Sequence, residues 1–351
     1  MFRIQLGVTW MVVLAAACGD DGEATPDACI GCEPIDASPA DANPMPTTLA
    51  ESGLCANAAC TEFVAGVREY TPAFGLWTDG ASKRRWIYLP SGAQINTSDW
   101  DDWKFPAGAK LWKEFSRDGL RVETRLYSKS GPGDDDWYFV SYAWNQAQTE
   151  AVAVPTGMMD TLGTPHDIPS RSQCRQCHDQ VNGRILGFSA IQLDVPAPSG
   201  QISLEDAITG GWLSALPATL APQPPRMPLP GSDLAKAALG YLHANCGHCH
   251  NPRSGVHGVV PVELRLESGR LATVEATPTY TTAVGIAPDG ITAAIPTAGL
   301  TLIVDGGSPA TSLLHWRFAV AGPAQRMPKT GTEVVDPVGS AAISDWILSL
   351  P

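Results

Sequence analysis

Cys246-Gly247-His248-Cys249-His250 follows directly on a stretch whose apolar residues, Leu234, Ala237, Ala238, Tyr241 and Leu242, recur at helical spacing. Ser232-Asp233 supplies an N-cap, so the pattern predicts a helix that delivers a cysteine pair at its C-terminal end. A second copy stands earlier, at Cys174-Arg175-Gln176-Cys177-His178. Each is C-x-x-C-H, the pattern of covalent c-type haem attachment. Two thiols one helical turn apart can add to the two vinyl groups of the porphyrin, and the adjacent histidine then lies where it can ligate iron. The expectation is two covalently bound haem c groups, one anchored by Cys174 and Cys177 and the other by Cys246 and Cys249. His178 and His250 are the expected axial ligands. Zinc is the main rival, but the gap between the pairs far exceeds that of a zinc ribbon, and each pair carries the immediate histidine. A disulfide within each pair is the other alternative.

Sixth ligands follow from what lies downstream. Asp336-Pro337 opens a further helix with Ile343, Trp346, Ile347 and Leu350 on one face. Ahead of it, Arg326-Met327-Pro328 makes Met327 the candidate opposite His250, with His315 as the alternative. The stretch from His250 to Met327 is long for a minimal cytochrome c. It contains strand-like Val260 to Leu266 and Leu300 to Val304, read as a β insertion. His248 reads as a solvent-facing spacer. For the first iron the candidate is Met227, in Arg226-Met227-Pro228, with His166 and His243 as rivals. The prolines around Met227 fit an interdomain linker equally well, so an open position at this iron stays among the alternatives.

Between Thr61 and Val154 lie seven of the chain's 11 tryptophans: Trp77, Trp86, Trp100, Trp103, Trp112, Trp137 and Trp144. Alternating runs at Arg84 to Leu89, Lys110 to Phe115, Arg121 to Tyr127, Trp137 to Trp144 and Ala151 to Val154 predict strands, separated by Gly/Pro turns. A small antiparallel sandwich or barrel is the natural reading. The tryptophans serve either as core bulk or as a surface for glycan or protein docking. Lys83-Arg84-Arg85 reads as a basic recognition spot or as a charged strand edge that blocks aggregation.

Leu6 to Ala17 is an apolar run too short to span a bilayer, ending in small residues before Cys18, and it reads as a signal peptide over residues 1–17. Cys18 after small residues resembles the lipoprotein box, which implies lipidation there. Residues 18–53 form an acidic, Pro/Ala/Asp-rich linker. Within it Asp20, Asp21, Glu23, Asp27, Glu33, Asp36, Asp41 and Glu51 meet no Lys or Arg, so much of the formal charge of −13 belongs to this tether. Cys29 with Cys32, and Cys55 with Cys60, are the disulfide candidates in an oxidising compartment. The expected location is exported and lipid-anchored, at the periplasmic or outer-membrane surface of a bacterium. The acidic balance argues against a nucleic-acid partner.

Ile168 to His178, Leu186-Gly187-Phe188, Gln192-Leu193, Tyr241 to Pro252 and Gly307-Ser308-Pro309 through Leu314 together resemble a family of secreted bacterial dihaem c-type cytochromes. Phe105-Pro106-Ala107-Gly108, Glu123-Thr124-Arg125-Leu126 and Trp144 to Thr149 add to the likeness. Similar paired modules end some sugar-dehydrogenase-like proteins that use pyrroloquinoline quinone. The resemblance implies haem binding and electron transfer and supplies no substrate.

The expected fold is multidomain: a small antiparallel all-β domain (54–160), then two mainly α cytochrome c-like haem modules (161–230 and 231–351), the second with the β insertion. The expected role is a relay between a dehydrogenase or quinol-linked donor and an acceptor, with redox proteins as partners. The alternatives are a peroxidase-like dihaem oxidoreductase with an open first haem, and a haem-bearing lipoprotein that binds carbohydrate or a partner.

Overall fold

Alternating apolar residues in the tryptophan-rich segment give a single sheet in the computed structural model, which describes residues 45–288, 299–322 and 325–351. Its strands are β1 (Arg68–Glu69), β2 (Ser82–Tyr88), β3 (Lys110–Arg117), β4 (Leu120–Lys129), β5 (Trp137–Trp144) and β6 (Ala151–Ala153). They pair antiparallel in chain order. Side chains alternate between faces along a strand, so the sheet buries two different sets. Trp86, Trp112, Leu126 and Val140 occupy one face. Ile87, Leu111, Tyr127 and Phe139 form a cross-strand row on the other.

The first face is covered by the chain that leads into the sheet. Leu49 and Leu54 are buried against it, the Trp112 Nε1–H donates to Ser52 Oγ at 3.0 Å, and Ala153 N–H donates to the Thr47 carbonyl at 2.9 Å. Residues 45–53, read as the end of the linker, therefore belong to the folded body. A Cys55–Cys60 disulfide closes the loop that follows. The signal peptide, Cys18, Cys29, Cys32 and the rest of the linker lie outside the described residues.

Helices cover the second face: α1 (Arg171–His178), α2 (Ala190–Leu193), α3 (Leu204–Thr209), α4 (Asp233–Asn245), α5 (Pro278–Ala283), α6 (Leu313–His315) and α7 (Pro337–Ser349). Most are one or two turns long, and helices this short are not stable alone and gain their stability from packing. Phe188, Ile191, Leu239, Leu242 and Trp346 accordingly share one core with Ile87, Leu111, Tyr127 and Phe139.

This corrects the expected fold. Among the described residues there is no all-β domain followed by two mainly α modules; one six-stranded antiparallel sheet and seven α-helices share a core, and all of them fall in one compact unit. Polar ties reinforce the union: Arg265 reaches Asp102 at 3.3 Å, and Ser268 N–H donates to Asp101 at 2.8 Å. Among the described residues the expected β insertion forms no strand either. Val262, Leu264 and Leu266 are buried alternately, as the pattern requires, but among the described residues their segment has no partner strand. Leu264 N–H instead donates to the His250 carbonyl at 2.8 Å, and Leu266 N–H to His243 Nδ1 at 3.0 Å. Leu300 to Val304 makes only isolated bridges, Val284 with Val304 and Leu302 with Ser312.

Helices α4 and α7 start where their caps predict. Ser232 Oγ accepts from Ala235 N–H at 3.3 Å, and Asp336 accepts from Val338 N–H at 2.9 Å with Pro337 in the first turn. The two helices pack together with Gly339 facing the Tyr241 ring. Six of the seven tryptophans named above are buried and Trp77 is half-buried, with its Nε1–H donating to the Val334 carbonyl at 2.9 Å. Core bulk is their structural role, which counts against an exposed docking surface made of them. Among the described residues, no helix is long and apolar enough to cross a membrane.

Candidate functional site

The two C-x-x-C-H segments meet. Helix α1 carries Cys174, Cys177 and His178, and its start is fixed by a capping box in which Ser170 and Gln173 bond reciprocally. Cys246 caps the far end of α4, and the rest of its motif continues as a turn. Sulfur atoms of Cys177 and Cys249 and a ring nitrogen of His248 lie within 4.8 Å of one another. The loops beyond the motifs are tied as well: Asn251 Nδ2 donates to the Gln180 carbonyl at 3.2 Å and Gly255 N–H to Gln180 Oε1 at 3.0 Å. Gly247 lets the turn pass, since a Cβ there would stand 2.7 Å from the His243 carbonyl and 2.8 Å from Arg265 Cα.

All four motif cysteines are free thiols, whereas Cys55 and Cys60 are bonded. Burial pushes Cys174 up to about 11 and Cys246 up to about 12. Cys177 differs: a hydrogen bond from the Cys249 thiol, aided by His248, favours its thiolate and holds it far below the usual thiol range. The same bond pushes Cys249 up.

Both motif histidines are neutral imidazoles at neutral pH, because burial lowers each to about 4. His178 is held against the sheet, its ring 4.6 Å from Tyr127 and 5.1 Å from Phe139. Its Nδ1–H donates to the Arg184 carbonyl at 2.6 Å, which leaves the Nε2 lone pair for a metal, the arrangement metal-ligating histidines commonly have. His250 Nδ1 is buried without a hydrogen-bond partner. His248 is buried rather than solvent-facing, because it is folded between the motifs.

Free thiols, neutral imidazoles with an available nitrogen and an orphaned buried ring nitrogen fit the donor set that covalent haem requires. A structural zinc fits less well, since the Cys177, His248 and Cys249 cluster offers three donors where a closed tetrahedral site needs four.

The distal candidates separate. Met327 borders a small cavity with Tyr241 and Asn245, in the last turns of α4 just before Cys246, and its N–H is fixed on the Arg317 carbonyl at 2.8 Å. Met227 is buried in the core that also holds Cys174, and its N–H donates to Asp194 at 2.5 Å. His315 is half-buried, with Nδ1 unpartnered. His243 is committed elsewhere, accepting from Leu266, and burial lowers it to about 3.

His166 is committed as well, and to a cluster the sequence reading missed. It bonds Glu123 at 2.9 Å, and Glu123 forms a two-point pair with Arg125 at 2.6 and 2.9 Å. Burial alone would raise Glu123, but the Arg125 charge and the bonds from His166 and Arg125 hold it down to about 2. Lys83 and Arg85 join Arg125 on this inner face, while Arg84 points outward to Glu69 at 2.8 Å. Strand β1 pairs with β2 only at Trp86 and Ile87, beyond the basic triplet, and Tyr70 N–H donates to the Arg85 carbonyl at 2.9 Å. The available signal was strand alternation, which puts Lys83 and Arg85 on the side of buried Ile87.

Comparison of the chain with protein-family models, with curated proteins and with solved structures returns no match.

Proposed function

We propose that this protein is an exported dihaem c-type cytochrome that relays electrons between redox partner proteins. The observation that carries the reading is the meeting of the motifs: two C-x-x-C-H segments far apart in sequence, both with free thiols, approach through Cys177 and Cys249. Cys174 with Cys177 and Cys246 with Cys249 would hold the two porphyrins, and His178 and His250 would ligate the irons. Bound haem iron supplies one-electron chemistry between ferrous and ferric states.

The chain's own part is to bind, orient and exclude water. The Arg184 carbonyl fixes the tautomer and orientation of His178. Burial keeps His178 and His250 unprotonated, so no proton competes for the ligating nitrogen near neutral pH. Met327 supports a thioether ligand at the second iron, which favours the ferrous state there, and a different environment at the first gives the pair a direction. Lipid anchoring at Cys18 and a periplasmic or outer-membrane setting belong to the same proposal and rest on the sequence.

The test is the mass and spectrum of the protein produced with a c-type maturation system. Two added haem masses, with six-coordinate low-spin irons that ignore carbon monoxide and peroxide, are expected. A chain with no added haem overturns the reading, and an iron that turns over peroxide replaces the relay with an oxidoreductase.

A further inference from the structure

Inner-face register puts three cations in one row across the sheet: Arg85 on β2 opposite Lys113 on β3, and Lys113 opposite Arg125 on β4. Like charges directly opposite each other on one face are unfavourable. Arg125 has its counter-ion in Glu123. Among the described residues, neither Arg85 nor Lys113 makes a side-chain hydrogen bond or an ion pair; Arg85 is 7% exposed, and half-buried Lys113 has its Nζ 5.2 Å from the Phe115 ring centroid. Lys83, the next cation on this face, spends its Nζ on the Ala81 carbonyl at 3.1 Å. Cations gathered in one row and shielded from water without a counter-ion are costly, and the usual remedy is an anion.

The row adjoins the first motif. The His178 ring rests on Tyr127 and Phe139 in the next cross-strand row, beside the Lys113–Arg125 pair on the same face. A haem c brings two carboxylates with it, as propionates, and is the anion this motif recruits. Resting on the haem reading above, we propose that Arg85 and Lys113 anchor the propionate carboxylates of the haem held by Cys174, Cys177 and His178.

The test is potentiometry on the holoprotein, after mass has shown two haems. Lys113→Met or Arg85→Met leaves propionate charge uncompensated and so favours ferric iron. At a fixed potential the ferrous-to-ferric ratio of one haem falls about tenfold, about 59 mV for one electron, while the other haem is unmoved. Lys113→Arg restores the native value, and Arg84→Met, on the outer face, leaves both potentials unchanged. Titration of the native holoprotein with acetate provides a second arm that needs no variant: potentials independent of acetate are expected, because the carboxylate positions are filled. Two attached haems with unchanged potentials in both Met variants overturn this inference alone. A potential that follows acetate concentration also overturns it, since the row is then open to free carboxylates. Absence of attached haem overturns the underlying reading and this inference with it.

Discussion

The Nδ1–H of His178 donates to the carbonyl of Arg184 at 2.6 Å. A carbonyl can only accept, so the proton is on Nδ1 and Nε2 is left with its lone pair, in a ring that burial keeps neutral. That single bond leaves the Nε2 lone pair of His178 available to a metal.

On the proposed haem reading, His178→Ala leaves covalent attachment at Cys174 and Cys177 intact and removes one axial ligand. The variant retains two haem masses, and one of its haems changes from low to high spin. Cys174→Ala with Cys177→Ala instead removes one haem mass. Mass spectrometry with absorption spectra reads both outcomes.

Met327→Ala tests the loop methionine beside Tyr241 and Asn245. Loss of a thioether ligand removes the sulfur-to-iron charge-transfer absorption of one haem and lowers its potential. The same spectrum after Met227→Ala, where the side chain is buried in the core with Cys174, reports whether that methionine ligates the other haem. If Met327→Ala leaves every band in place, Met327 is not a ligand.

Glu123 has no exposed surface and is neutralised by half-buried Arg125, so Glu123→Gln costs about 3 kcal/mol, measured by urea unfolding. Its folded pKa of about 2 lies below the ordinary 4.5. The stabilisation is therefore complete above pH 4.5 and is lost as pH falls through about 2. Native protein loses stability across that acid window, and the Glu123→Gln variant has a flatter profile there.

Gly339→Ala reverses the usual helix preference. Alanine in a helix interior normally gains about 1 kcal/mol over glycine. Here the new Cβ would stand 2.1 Å from the Tyr241 ring, which is also packed edge-on against Phe318 at 5.6 Å. Overpacking of about 1–3 kcal/mol outweighs the propensity gain, so the melting temperature falls. A rise would show that Tyr241 moves aside freely.

Local chemistry was legible in the sequence. Both C-x-x-C-H motifs, the Ser232 and Asp336 caps, and the alternation of β2 to β5 are set by neighbours within a few residues, and those elements form there. Alternation at Val260 to Leu266 correctly gave alternate burial but not a strand, because periodicity reports which side chains go inside and says nothing about which backbone accepts the N–H groups. Only the tertiary structure decided that sheet and helices share one core, because helices as short as α1 to α3 need another surface to bury their apolar face, and residue spacing does not say which. It alone brought Cys177 to Cys249 and turned Lys83-Arg84-Arg85 from a surface patch into two inward cations and one outward. Those contacts depend on cross-strand register and on chain segments meeting over long sequence gaps, quantities fixed by the packing of the whole molecule.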